Sequence, residues 1–344
     1  MWYYFNDKKF YKTELSRYSI ILKEFFKSIE IPLYSSARVK TDYEKNLEII
    51  KREFKNSSKV LVALENFDNL LKEYSKTIQG LKNLEVLKEI VKTNINVKEY
   101  LRNSNKFYTY NDLIKENFDV NFMKVLKELN DIFWEYLRQK DNRNLSKEYY
   151  KMLYDSLEGK IYCPFCGINE LKSPESLEKL SPLEHFIPKG NYPFVSWNTD
   201  NIFIACEDCN SIKGEKSLRG IEQHFSEFFP IKIENYNFIL KLLKYDILEN
   251  KCEVEILAFE NGRRVYLYEY LETWDFLFNI KKRIEKEMNS FIKKAERIIK
   301  KKRDRTKYYD LENDIEIGLE IAEEEGNIVE IAYYKYKKEN LISK

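Results

Sequence analysis

Histidine is nearly missing from this chain. It occurs twice in 344 residues, beside only nine glycines and seven prolines. So few turn-formers work against a fold of many short strands and favour long helices. No run of eighteen apolar residues occurs, so no membrane-spanning helix is expected. The opening "MWYYFNDKKFYKTE" lacks the basic-then-apolar pattern of a secretory signal, and a cytoplasmic location is expected. An excess of one charge is missing too: 59 Lys and Arg against 57 Asp and Glu leave a net +2. That excludes a uniformly basic nucleic-acid binder, although a balanced total leaves room for local patches. Five cysteines are too few for a disulfide framework in a chain this long. No GxxxxGK[ST] stretch occurs, so nucleotide hydrolysis is not expected of this chain.

Aromatic residues are what the chain has in plenty. Its 26 tyrosines and 22 phenylalanines are the residues that disordered segments lack. Residues 1–157 read as a helical domain. Leu15, Tyr18, Leu22, Phe25, Phe26 and Ile29 recur at three- and four-residue spacing, as do Leu64, Phe67, Leu71, Tyr74 and Ile78. Phe122, Val125, Leu126, Leu129, Phe133 and Leu137 form a third stripe. These are helix-packing faces, and Ser57 or Ser58 is placed to cap the second. Composition changes at "LEGKIYCPFCG", where prolines, short apolar runs and two CxxC pairs begin. Residues 158–225 are set apart as a small metal-stapled module. Residues 226–344 read as mixed but mostly helical. "CEVEILAF" alternates like a strand before the turn "ENGRR", and "YEYLETWDFLFNIKKRIEKEMNSFIKKAERIIKKKRDR" is helical. The basic run Lys293–Arg305 is either a solvated helix face or a surface that tracks phosphates. The expected fold class is mainly α, with a short β element in the C-terminal region.

Cys163 and Cys166 in "CPFCG" and Cys206 and Cys209 in "CEDCN" offer four thiolates. Each CxxC is a tight turn that points two sulfurs at one ion, and two pairs supply what a tetrahedral structural zinc requires. A redox dithiol is the weaker alternative, since there are two pairs and no thioredoxin-like context. Between the pairs, "SPLEHFIP" reads as a strand ending in Glu184 and His185. "DNIFIAC" reads as a second strand from near Asn201, and "EDCNSIKGEKSL" as a short helix.

An acid–His pair, a central Asn and a CxxCNxxK helix, in the order strand, loop, strand, helix, resemble the HNH nuclease family with its ββα-metal site. The matching stretches are "EHFIPKGNYP", "NIFIACEDCNSIKG" and "CPFCG", spread across about 60 residues. Less sharply, the flanks look similar to HNH proteins that travel with an ATPase in phage defence, the Septu-type and retron-associated nucleases. The resemblance implies an endonuclease hydrolysing DNA, with His185 as general base and Asn201 orienting it and bracing the loop. It implies Glu184 and Asn210 as ligands of a catalytic Mg²⁺ or Mn²⁺, beside a structural Zn²⁺ on the four cysteines. Glu184 departs from the more usual Asp of that pattern. Lys213, three residues after Asn210, and Lys189 are candidate phosphate contacts. Trp197 and Tyr192 are expected to roof the small core, and His224 is an ordinary histidine. The helical domain is expected to bind a partner, a separate ATPase subunit, in a hetero-oligomer. Two other readings stand beside this one: a non-catalytic zinc-stapled nucleic-acid-binding or adaptor protein, and an HNH nuclease acting on RNA.

Overall fold

The computed structural model describes residues 13–29, 37–77, 80, 82–85, 87, 119–138, 145–176, 179–192, 195–214, 216, 236–266, 268–306 and 309–342. Ile78, His224 and the junction expected at residue 225 lie outside the described residues. The protein is mainly α. Among the described residues, five helices precede the cysteine-rich segment: α1 (Glu14–Ile29), α2 (Ala37–Glu53), α3 (Ser58–Tyr74), α4 (Val120–Arg138) and α5 (Leu145–Asp155). Their apolar stripes turn inward. Leu22, Phe25 and Phe26 of α1, Leu64 and Phe67 of α3, and Phe122, Leu126, Leu129 and Phe133 of α4 are all buried. Aromatic edges lock them, with Phe26 against Phe133 at 6.5 Å and Phe54 against Phe133 at 5.1 Å. Ser57 caps α3, its Oγ accepting the Val60 N–H at 3.3 Å.

Two short antiparallel strands follow, β1 (Leu183–His185) and β2 (Ile202–Ile204), and then helix α6 (Glu207–Lys213). Their register pairs Leu183 with Ile204, Glu184 with Phe203 and His185 with Ile202. A 3₁₀ turn, Thr199–Asn201, leads into β2, and Asn198 caps it. The C-terminal region holds an antiparallel sheet in the order β3 (Tyr236–Asp246), β4 (Lys251–Glu260), β5 (Arg263–Val265). Asn261 and Gly262 turn β4 into β5 with φ of 48° and 79°, the left-handed pair that a two-residue hairpin demands.

Helices α7 (Tyr268–Phe278), α8 (Ile280–Arg305), α9 (Leu311–Glu325) and α10 (Ile328–Ile342) complete the chain. The helical stretch after β5 is two helices, broken at Asn279. That residue takes φ 52°, a conformation Asn tolerates better than most side chains. The Asp275 carboxylate then caps the new start by accepting the Lys281 N–H at 2.8 Å. Asn327 caps α10, its Oδ1 accepting from Val329 and Glu330 at 3.2 Å each. One hydrophobic core runs from Leu15 of α1 through Trp197 and Phe203 to Tyr333 of α10, crossing all three sequence segments.

Candidate metal centre and active site

The four cysteines meet. Cys163, Cys166, Cys206 and Cys209 are buried, and their sulfurs lie within 4.8 Å of one another. The Cys166 and Cys206 sulfurs are 3.8 Å apart. A tetrahedron of zinc–sulfur bonds near 2.3 Å has an edge of about that length, so the donor set fits a soft-ligand ion. Backbone donors turn toward the sulfurs as a knuckle requires. Ile168 N–H faces Cys166, Cys206 N–H faces Cys163, and Cys209 N–H faces Cys206, each at 3.4 Å. Gly167 sits at φ 63°, and a Cβ there would meet Ile328 at 2.9 Å, so both conformation and space demand glycine. With no cation the four thiols cannot all ionise. Burial drives the Cys163 and Cys209 thiols up, while hydrogen bonds from Cys163, Cys166 and Cys209 hold Cys206 low. Cys252, the fifth cysteine, is half-buried beside the core.

The staple positions α6. Cys206 is its N-cap and Cys209 lies in its first turn, so a metal on both fixes where the helix begins. From the far end Lys213 reaches back toward β1. It is 1 % exposed, forms an ion pair with Glu184, and donates to the His185 carbonyl at 2.7 Å. Lys213 therefore does not stand at the surface; a phosphate contact requires that pair to open. Asn210, half-buried, precedes Lys213 by three residues on α6.

His185 is buried at the end of β1. Its Nε2 lies 2.7 Å from the Ser196 carbonyl. A carbonyl can only accept, so Nε2 carries the hydrogen and Nδ1 is the ring's acceptor. The Trp134 ring of α4 packs edge-on at 4.5 Å, with the Arg138 guanidinium 5.9 Å from the Trp134 ring centre. Burial pushes the His185 pKa down to about 3, and the cations of Lys189, Lys213 and Arg138 push the same way. Asn201 is fully buried and ties the loop between the strands. Its Oδ1 accepts the Ile187 N–H at 2.7 Å, and its Nδ2 donates to the Ile187 and Val195 carbonyls at 2.9 and 3.3 Å. Lys189, on that loop, is half-exposed and 3.6 Å from Asp131 of α4. Among these residues β1 and α6 thus bring Glu184, His185 and Lys213 into contact.

No protein-family model, curated protein or solved structure matches the chain. No described helix is long and apolar enough to cross a membrane.

The N-terminal helices supply parts of the site that the module's own sequence does not reveal. Trp197 is fully buried and stacks on Phe26 of α1 at 5.3 Å and 7°, and its indole N–H donates to the Asn130 side chain of α4. Lys23 pairs with Asp200 at 2.7 Å, and the Tyr149 hydroxyl donates to the Thr199 carbonyl at 2.7 Å. Trp134, Asn130 and Lys23 lie in amphipathic helices whose sequence pattern is that of ordinary packing, so only the tertiary contact marks them.

The buried neutral imidazole makes stability depend on pH. Its folded pKa is depressed, so the unfolded chain takes the proton first as pH falls. The stability it contributes is whole above about 6.5 and is lost as pH drops toward 3. One proton sets a limiting slope of about 1.4 kcal/mol per pH unit. Urea midpoints of wild type and His185→Gln, compared from pH 7.5 to 5, should converge as pH falls. Parallel lines would mean that His185 titrates normally.

Proposed function

We propose that β1, β2 and α6 form the catalytic centre of a metal-dependent HNH-type endonuclease that hydrolyses DNA. The observation that carries this reading is the seat of His185. Its Nε2 is fixed by the Ser196 carbonyl, burial keeps the ring neutral, and the Glu184 carboxylate precedes it on the same strand. With Nε2–H donated, Nδ1 takes a proton from the water that attacks phosphorus. The bond from phosphorus to the 3′ oxygen breaks, a second water protonates that oxygen, and the products are a 3′-hydroxyl and a 5′-phosphate. A phosphodiester drawn beside the ring gives the transient imidazolium a counter-ion, offsetting the burial that otherwise makes His185 a weak base.

Glu184 and Asn210 offer the oxygen ligands that Mg²⁺ or Mn²⁺ favours. Such an ion supplies charge neutralisation at the phosphate and the leaving oxygen. Glu184 must exchange the Lys213 ammonium to act as a ligand, and Lys213 is then available to a phosphate. Lys189 becomes available when it parts from Asp131, an exposed pair worth under about 1 kcal/mol. Asn201 keeps the loop closed on itself so that the Ser196 carbonyl stays under the imidazole. Zn²⁺ on the four cysteines has a closed shell of ligands, so it holds shape and does not activate water. On the strength of the resemblance, the protein is a cytoplasmic anti-phage effector whose helical region contacts a separate ATPase.

A second reading is favoured by one observation: the ammonium of Lys213 already occupies the Glu184 carboxylate. On that reading the module is a zinc-stapled nucleic-acid-binding or adaptor protein that cuts nothing. Digestion of supercoiled plasmid and of single-stranded RNA with Mg²⁺ or Mn²⁺ separates the readings. The protein is assayed alone and with any ATPase that co-purifies from its native operon. Nicked plasmid supports the nuclease and RNA fragments reassign its substrate. Binding without cleavage under either ion supports the adaptor, and full activity of the lone chain counts against the ATPase.

A further inference from the structure

The cysteine cluster has a contact from outside its own segment. Arg283, in the first turn of α8, lies 74 residues beyond Cys209 in the chain. Its Nη1 donates to Cys209 Sγ at 3.2 Å and to the Phe278 carbonyl at 3.3 Å. Its Nη2 lies 3.9 Å from Cys206 Sγ and 3.6 Å from the Asp208 carboxylate. The side chain is only 13 % exposed, so the guanidinium is largely withdrawn from water to sit against sulfur. Cys163, Cys166 and Cys206 each face a backbone N–H; Arg283 brings the corresponding donor to Cys209.

The surrounding contacts show that this is a docked arm. The Trp274 indole N–H of α7 donates to the Phe165 carbonyl, inside the first CxxC, at 2.9 Å. Phe278 packs on the Phe165 ring at 5.1 Å. Lys216, just past α6, donates to the Phe276 and Leu277 carbonyls at the end of α7 at 2.6 and 3.0 Å. The left-handed Asn279 then turns the chain so that α8 starts with Arg283 over the sulfurs.

Four thiolates around a dication carry a net charge of minus two. In a buried site that excess negative charge is costly unless donors and a cation face it. A guanidinium drawing on two sulfurs lowers their basicity and their readiness to take a proton or an electrophile, the first steps of metal loss. We propose that Arg283 is an outer-sphere partner of the cysteine-bound metal, and that metal occupancy and docking of the α7–α8 arm are one coupled equilibrium. By linkage, whatever factor the docked arm adds to metal affinity, the metal adds to docking. The proposal concerns the metal centre and holds whether or not the protein cleaves nucleic acid.

The test uses the full-length protein loaded with Zn²⁺, and separately with Co²⁺ as a spectroscopic probe. Zn²⁺ affinity is measured by competition with a chromophoric chelator, and hydrogen exchange is followed over α7 and α8. Arg283→Gln should weaken Zn²⁺ affinity about 10- to 100-fold, shift the thiolate-to-Co²⁺ absorption band, and speed exchange in the arm. Arg283→Lys keeps the charge and loses the fork, and should fall between wild type and Gln. Trp274→Phe loosens the arm without removing the cation, and should cost less affinity than Arg283→Gln while leaving the Co²⁺ band in place. Zn²⁺ affinity within twofold of wild type in Arg283→Gln overturns the proposal. So does a Co²⁺ band in Arg283→Gln that stays where wild type has it, which would make the contact mere packing. If Arg283→Gln fails to fold, Arg283→Lys decides by its affinity and band position. Failure of wild type to take up Zn²⁺ would remove the metal centre itself, a result distinct from either.

Discussion

Stripping metal from the cysteine cluster should unfold the β1–β2–α6 unit. The size of the effect follows from what else holds that unit. Its strands are three residues each and its helix seven, all too short to persist alone. A structural zinc contributes on the order of 10–16 kcal/mol, comparable to the whole stability of an ordinary domain. Cys206 is both a ligand and the α6 cap that accepts the Cys209 N–H; Cys206→Ser removes the thiolate ligand while leaving a hydroxyl that can still cap the helix. A strong chelator in reducing buffer, or Cys206→Ser, should abolish exchange protection over residues 183–213 and remove a cooperative step from the thermal melt. The helices α1–α5 should keep most of their circular dichroism, since Phe26–Phe133, Phe54–Phe133 and Phe67–Phe122 join them to one another, while the Trp197 and His185 contacts to Phe26 and Trp134 would be lost. A metal-free protein that melts within a few degrees of the loaded one would show that the cysteines are ordinary core residues.

His185→Ala should lower the rate of DNA nicking about 10²- to 10⁴-fold, the usual worth of a positioned general base. The substitution also leaves the Ser196 carbonyl without its donor and a gap beside Trp134. That costs about 1–3 kcal/mol of stability for the buried carbonyl alone. His185→Gln controls for this, because an amide N–H can still reach the carbonyl while no basic nitrogen remains. Both variants should keep their zinc. Asn201→Ala would also be inactive, yet it discriminates less: three hydrogen bonds that hold the loop go with it.

The helical stripes and the four-cysteine cluster could be read from sequence because each rests on local spacing. Phe25, Phe26, Leu64, Phe67 and Phe133 repeat at helical period, and a CxxC turn needs only its own four residues. Strand β3 was harder. In "YNFILKLLKYD" apolar residues fall at 238, 239, 240, 242 and 243, which suits a helix as well as a strand, and a register shift near Leu242 blurs the alternation. The break at Asn279 turns on one residue's backbone angle inside a continuous helical pattern. The shell around His185 was hidden for a different reason. Trp134, Ser196 and Lys213 reach it from a distant helix, a loop carbonyl and a buried ion pair, and none of these contacts leaves a periodic trace. Lys213 is the clearest case: three residues after Asn210 it reads as a surface cation, and only the fold shows its ammonium on Glu184.

The central claim is that His185 belongs to a phosphodiester-cleaving site. Single-turnover nicking of supercoiled plasmid in Mg²⁺ or Mn²⁺ tests it most directly, with wild type, His185→Ala and His185→Gln matched for zinc content and folded fraction. Wild type should nick the plasmid, and both variants should lose about two orders of magnitude or more in rate. Variants that nick as fast as wild type, or a zinc-loaded wild type that binds plasmid and leaves it supercoiled under both ions, would contradict it.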